Sequence, residues 1–477
     1  MTGKAGGTGR RTEPTLAVPM SASPVEQSPL RDDAPRSLAS VACALAARVR
    51  SFVGHVAQDR VGAGRIVRFE AAFDPVDLLA LLRTLPVGSR RYFRDRSAKF
   101  EVAGLGVATH GPLGAHEKLV LDPACVACRE PVWFVAMPFD SARERANEWR
   151  MFAHASCVLP TIEVRREGEL HTLAVNIVEG VDLARIEREL GSFAKPLQPR
   201  VVEPALLRES DGDGEAQWSR AVRTGLERIR AGALRKIVLA RTRRYAASGE
   251  LDPTAVLTRL ASRELRGFRF LVEVGPGQAF LGVTPERLVS RSGRTARSEA
   301  VAGTRPRGVD GVADRLLGES LISSAKDRRE QALVVERVRE ALTACATSLR
   351  IDAEPRLLRL AYVQHLATRI VADLRPDVSD VDLVRALHPT PAVAGAPVMQ
   401  AIEALRAFEP FDRGLYAGPV GVVSRDGAEI AVAIRSALIS GDRLTAFAGA
   451  GIVEGSDPAE EWRETGHKLL AFERLAT

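Results

Sequence analysis

The sequence predicts an α/β protein of the α+β kind, with antiparallel sheets and flanking helices. Three observations carry this. Short apolar runs recur along the chain. The Gly275-Pro276-Gly277 turn joins two of them into a hairpin. The runs Val420–Ser424, Glu429–Ile439 and Arg443–Ala448 alternate as neighbouring antiparallel strands.

The elements follow in order. Residues 1 to about 36 are rich in Gly, Ser, Pro and Thr without periodicity, which predicts a disordered tail. A helix is expected over Ser37–Val53 and another over Val76–Leu85. Strands are expected at Gly64–Phe73, Tyr92–Phe93, Phe100–Thr109, Trp133–Met137 and Pro160–Val164. Residues 37–205 thus form an N-terminal α+β half, and 206–477 the region that carries chemistry. There, Trp218, Val222, Leu226 and Ile229 make one apolar stripe on a helix over Ala216–Ala233. It feeds a strand over Lys236–Arg241. The hairpin pairs Arg269–Val274 with Gln278–Leu281. A long helix spans Ser323 to about Cys345, and a short one Asp380–Leu387 stops before Pro389 and Pro391. The last helix opens with Asp457-Pro458-Ala459-Glu460, a cap residue, a proline at the first helical position and an early acid.

The 477 residues are 45% hydrophobic and 27% charged, enough for a large core. No apolar run reaches the roughly 18 residues of a membrane span. The patch Leu16 to Met20 behind Arg10-Arg11 is too short for a signal core of about 7–15 residues, so a cytoplasmic protein is expected. Five cysteines, an odd number, imply no disulfide framework. Cys125-Val-Ala-Cys128 lacks a second pair, and His110 and His116 are off zinc spacing. It reads as a surface loop with two free thiols. The net charge of +7 is spread through helices and strands among 60 acids, and only 5% of residues are aromatic. Without a basic block and stacking aromatics, that charge decides little between a nucleic-acid-binding protein, the non-enzyme alternative, and a protein with a small anionic substrate, which a positive field also suits.

Only seven of the 67 basic residues are lysines: Lys4, Lys99, Lys118, Lys195, Lys236, Lys326 and Lys468. Arginine supplies surface charge but cannot serve as a base, so lysine is expected where a deprotonatable amine or a compact charge is needed. Lys236 opens an apolar strand, where burial could lower its pKa. Glu286, beside Pro285 at a strand end, could have a raised one. Groups pushed in opposite directions make an acid/base pair; capping of strand ends is the plainer alternative. Glu461, Glu464 and Lys468 share one face of the last helix, which is either a solvated ion-pair face or half of a metal and anion site. Glu330 could add a further carboxylate, and oxygen-only ligation suits Mg²⁺. Gly449 and Gly451, read as a loop between strand and helix, could offer amides to a carboxylate. Arg435, inside a strand read as Ala431–Leu438, needs an anionic partner. This set suggests a metal-dependent lyase or hydroxylating isomerase.

The stretches KIVLAR, FLGVTPERL, EAVAGTRPRG, SAKDRRE, VQHLATRI, LHPTPAVAGAP, FDRGLYAGPVGVV, VAIRSALI and AGAGIVEGSDPAEEWRETGHK stand in this order over about residues 215–475. Together they resemble the chorismate-utilising enzymes, which include anthranilate, aminodeoxychorismate, salicylate and isochorismate synthases. RYFRDRSAKFEVAGLGVA and WFVAMPFD extend the likeness upstream. The resemblance implies an anthranilate synthase component I-like fold with a large antiparallel two-sheet core, chorismate as substrate and Mg²⁺ as cofactor. It implies Lys236 as the base that activates water and Glu286 as the acid that protonates the leaving hydroxyl. Glu330 and Glu464, assisted by Glu461, would hold the metal. Tyr416, Arg435, the amides of Gly449 and Gly451, and Lys468 would bind substrate carboxylates, with Thr304 and His365 lining the pocket. For the base role Lys236 must fall from about 10.4 toward neutrality.

Within the family, members that transfer ammonia lack a lysine at the base position, so Lys236 implies water as nucleophile. Ala392 stands where salicylate synthases tend to carry threonine, as in isochorismate synthases that release their product. The expected activity is isochorismate synthase, of a menaquinone or siderophore pathway; salicylate synthase is the alternative. A monomer acting without nucleic acid or membrane is expected. Two positions depart from the family pattern: Gln331 replaces a frequent histidine, and Ala396 a larger residue.

Overall fold

Period-two alternation sets two cores on the two faces of one large sheet. Phe270, Val272, Phe280 and Leu438 point into one core; Leu271, Ala279, Leu281, Ala437 and Ile439 point into the other. The first core lies against a second sheet, contributing Phe134, Val422 and Ile430. The second is covered by helices Leu38–His55, Leu183–Phe193 and Pro253–Arg263. The computed structural model describes residues 36–476 apart from 56–63, 124, 126–127, 155, 194–204 and 213. All but Arg36 of the expected tail lies outside these residues.

Among the described residues the larger sheet has 13 strands and the smaller 10. Strands from early and late in the chain share both. Arg90–Arg94 pairs with Phe268–Gly275 in the larger sheet, and Trp133–Ala136 with Pro419–Val423 in the smaller. Lys236–Ala247 runs antiparallel to Arg443–Ile452 over ten residue pairs. No described helix is long and apolar enough to cross a membrane.

The chain twice leaves the larger sheet for the smaller, or returns, near the same place. Gln278–Thr284 belongs to the larger sheet and Arg287–Ser292 to the smaller; Pro285 and Glu286 make the crossing. Gly427–Val432 belongs to the smaller sheet and Ser436–Ser440 to the larger. The expected single strand Glu429–Ile439 is therefore two, and Arg435 is not mid-strand. It sits at the crossing with φ of +50°, outside extended backbone. The crossings brace each other: Val432 N donates to Glu286 O at 3.0 Å, and Thr284 Oγ1 to Val432 O at 2.6 Å.

Other boundaries also move. The expected strand Phe100–Thr109 is Phe100–Leu105 followed by Thr109–Gly111, and Val76–Leu85 shortens to the helix Leu78–Leu82. Helix Gly311–Ser323 precedes the expected long helix, which spans Ala325–Thr343. Cys125 is buried rather than in a surface loop. Arg68 N donates to its thiol at 3.3 Å, and Cys128 Sγ donates to Arg68 O at 3.2 Å.

Candidate active site

A pocket between the two sheets gathers Glu286, Thr304, Glu330, His365, Ala392, Tyr416, Arg435, Gly449, Gly451, Glu464 and Lys468. Of the residues singled out in the sequence, Lys236 and Glu461 lie just behind its wall. Lys236 is 1% exposed and donates from Nζ to Glu330 Oε1 at 2.9 Å. Burial pushes the Glu330 carboxyl up, but the charges of Lys236, Lys468 and Lys326 outweigh it and hold it below its usual value. Glu461 is buried, and Lys326 Nζ donates to its Oε1 at 3.2 Å. Burial, then the charge of Glu464, pushes Glu461 up to about 7. Lys468 Nζ donates to Glu464 Oε1 at 2.7 Å and to Gly449 O at 2.9 Å. Two carboxylates, Glu330 and Glu464, thus face the pocket and a third, Glu461, lies just behind it; each is held by a lysine, and Glu461 also by Ser456. Lys326, a lysine without evident chemistry in the sequence, is one of the three; its partner lies 135 positions away.

Gly449 and Gly451 are in the strand Arg443–Ile452, not in a loop. Val238 N donates to Ala394 O and Ala240 N to Glu409 Oε1. Their partners in register, Gly451 and Gly449, therefore make non-hydrogen-bonded pairs, and the glycine amides point away from that strand. On that side the neighbouring strand ends, because its pairing stops at Ala437 with Ala446. Glycine is also required for space. A Cβ at Gly451 would meet Glu330 Oε1 at 2.6 Å and Lys236 Cε at 2.9 Å; one at Gly449 would meet the Tyr416 hydroxyl at 3.1 Å.

Glu286 is 4% exposed. Burial pushes its carboxyl up to about 8 against the opposing charge of Lys236, so it keeps its proton at neutral pH. His365 Nδ1 lies 3.1 Å from Gly303 O and 3.2 Å from Thr304 Oγ1. A carbonyl only accepts, so Nδ1 carries the hydrogen. Burial, with Arg435 and Lys468 nearby, lowers the ring to about 3, leaving Nε2 an acceptor. Tyr416 is buried and stacks on Phe447 at 5.0 Å between centroids. Arg435 Nη2 is buried without a hydrogen-bond partner. That orphaned donor in the pocket marks a place for an anion.

Two supporting features were not legible beforehand. Arg413, fully enclosed, donates to Glu409, Val393 O and Val238 O, tying the Ala392 loop to the Lys236 strand. Ala394–Ala396 also pairs along that strand, with Ala396 opposite Lys236. Gln331 turns away from the pocket and donates to Ala300 O and Thr368 Oγ1.

The fold and the pocket define a class, and comparison with known proteins agrees. A family model described as chorismate binding enzyme matches residues 52–475, so the chain belongs to that family. More particularly, it is 34% identical to isochorismate synthase MenF of Bacillus subtilis (strain 168) over 345 residues, 71% of this chain and 73% of that protein. It is 39% identical over 346 residues to the salicylate biosynthesis isochorismate synthase of Pseudomonas aeruginosa, covering 70% and 72%. The solved structure of MenF, the menaquinone-specific isochorismate synthase from Escherichia coli, superposes with a TM-score of 0.77 at 28% identity. It covers 91% of this chain and all of that one.

Proposed function

We propose that this enzyme is an isochorismate synthase, converting chorismate to isochorismate. Water adds at ring C2, both conjugated ring double bonds shift by one position, and the C4 hydroxyl leaves as water, so atoms balance. Lys236 takes the proton from the attacking water, and Glu286 gives one to the departing hydroxyl. One observation carries the reading: a buried carboxyl that stays protonated at neutral pH and a fully buried lysine serve the same pocket. Arg435, with its free Nη2, and the outward amides of Gly449 and Gly451 take the substrate carboxylates. Tyr416 and neutral His365 fix the ring, and Ala392 leaves room beside it.

Glu330, Glu461 and Glu464 are assigned to Mg²⁺. The donor set is oxygen-only, and the crowding that raises Glu461 is what a divalent cation relieves. Among the described residues no three His, Cys, Asp or Glu side chains converge as a metal cluster, so these carboxylates would hold the ion only together with other oxygen donors. Bound there, Mg²⁺ would neutralise a substrate carboxylate and loosen the hold of Glu330 on the Lys236 ammonium.

Purified protein with chorismate and MgCl₂, analysed by chromatography, tests the assignment. Isochorismate alone is expected. Salicylate with pyruvate would make it a salicylate synthase.

A further inference from the structure

A second cavity, of about 290 Å³, lies behind the C-terminal helix Pro458–Glu473. Its walls come from that helix, from helix Gly214–Arg230 and from the back of the Lys236–Ala247 strand. Trp218, Trp462 and Phe411 line it, with Arg241 between them. The Arg241 guanidinium stacks on Trp462 with Cζ 3.5 Å from the ring centroid. Its Nε donates to Thr465 Oγ1 at 2.7 Å.

Arg241 is only 7% exposed, yet no described carboxylate lies within ion-pair reach of it; its Nη2 donates to Trp462 O at 3.5 Å, and its buried Nη1 has no hydrogen-bond partner. The nearby acids are already engaged. Asp211 pairs with Arg208 and Arg243, and Glu473 pairs with the same two arginines. Glu409, also in the wall, is bound by Arg413 and Ala240 N. A buried guanidinium with a free donor is costly unless an anion completes it. Arg241 lies in the wall of a space with aromatic walls, at the low end of the size range of small-molecule sites.

We propose that this cavity is a second ligand site, for a small aromatic carboxylate. The carboxylate takes Arg241 Nη1, the one donor of that side chain without a partner, and the ring packs against Trp218 and Phe411. Such a ligand sits on the reverse of the helix that carries Glu461, Glu464 and Lys468, because Trp462 lies between the two glutamates in sequence. Occupancy therefore bears on the position of those residues, which gives the site the geometry of an effector site.

Two of the four tryptophans, Trp218 and Trp462, line the cavity, so their fluorescence reports it. The probe is benzoate, titrated into the full chain without chorismate, at constant ionic strength. Saturable quenching is expected. Arg241→Gln should weaken it about tenfold or more, the loss of a charge-assisted contact. Ala221→Phe, which fills the cavity and leaves the arginine in place, should abolish it. Arg435→Gln, in the other pocket, should leave it unchanged. Quenching that survives both cavity variants, that disappears in Arg435→Gln, or that phosphate reproduces equally would overturn the proposal. The readout is binding alone, so it stands or falls separately from the isomerase assignment.

Discussion

Two regions of this molecule bury charge, and they do it differently. In the early strands Glu163 is wholly enclosed and accepts from Arg68 Nη1 and Nη2, Arg165 Nε and Nη2, and Val132 N. Glu273 likewise accepts from Arg90 Nε and Nη2 and from the amides of Gly88 and Arg90. At the pocket, Glu330 and Glu464 each accept one bond from a lysine, and Glu461, just behind, accepts from Lys326 and Ser456. Arginine forks saturate a carboxylate and lock it. A lysine holds one oxygen and leaves the other for a cation or substrate. A chain with sixty acids and seven lysines places three of those lysines against these three acids. The contrast separates charge that builds from charge that reacts.

The largest expected effect breaks the lysine side. Lys236→Arg keeps the charge but cannot accept a proton, so turnover should fall by about 10³–10⁴-fold, a general-base loss. Far-UV circular dichroism should remain unchanged. An active Lys236→Arg enzyme would remove the base role. The arginine side should answer the opposite way. Glu163→Ala leaves Arg68 and Arg165 buried and unpaired and should cost about 3–5 kcal/mol of stability. Denaturant titration measures this, and kcat of the folded fraction should hold. Glu163 is held down to about 2, although burial opposes it, by Arg165, Arg68 and Val132 N. Its contribution is thus present above the ordinary carboxylate range and is lost as pH falls through about 2.

Glu286 sharpens the comparison, as a buried acid without such a clamp. With its carboxyl raised to about 8, the competent protonated form persists at neutral pH and is lost above it. The turnover rate should decline as pH rises through about 8. Between the ordinary carboxylate value and about 8, the folded protein keeps a proton that the unfolded chain has released. Stability relative to Glu286→Gln should therefore fall across that window as pH rises. Glu286→Gln should lose about 10²–10³-fold in turnover, yet melt higher than the parent at alkaline pH. A variant that melts lower there would contradict the raised value. The smallest effect is expected at Lys326, whose side chain is 38% exposed. Lys326→Gln should change stability by less than about 1 kcal/mol and reduce turnover no more than about tenfold.

Local signals made part of this legible in the sequence. Helix Asp380–Leu387 agrees to the residue: Pro389 and Pro391 mark its end in the sequence, and a Ser379–Asp382 capping box closes its start in the structure. The last helix and the Gly275–Gly277 hairpin were equally well punctuated. What failed was long-range. Residues 429–439 read as one strand because apolar residues flank Arg435 on both sides, and nothing local reports a change of sheet. Gly449 and Gly451 read as a loop because glycine usually marks turns. Here they remain extended, and the missing Cβ makes room for Glu330 and Tyr416, residues far away in sequence. The clamp of Arg413 and the partner of Lys326 were invisible for the same reason. The site residues themselves were found through resemblance to a family, while periodicity alone left each of them balanced against a structural role.

In the proposed reaction solvent water, deprotonated at Lys236, becomes the new hydroxyl. Turnover of chorismate in water enriched in heavy oxygen, with mass spectrometry of the product, tests it directly. One heavy oxygen at C2 of isochorismate is expected. Product without the label would mean that the C4 hydroxyl migrates within the molecule, and would contradict it.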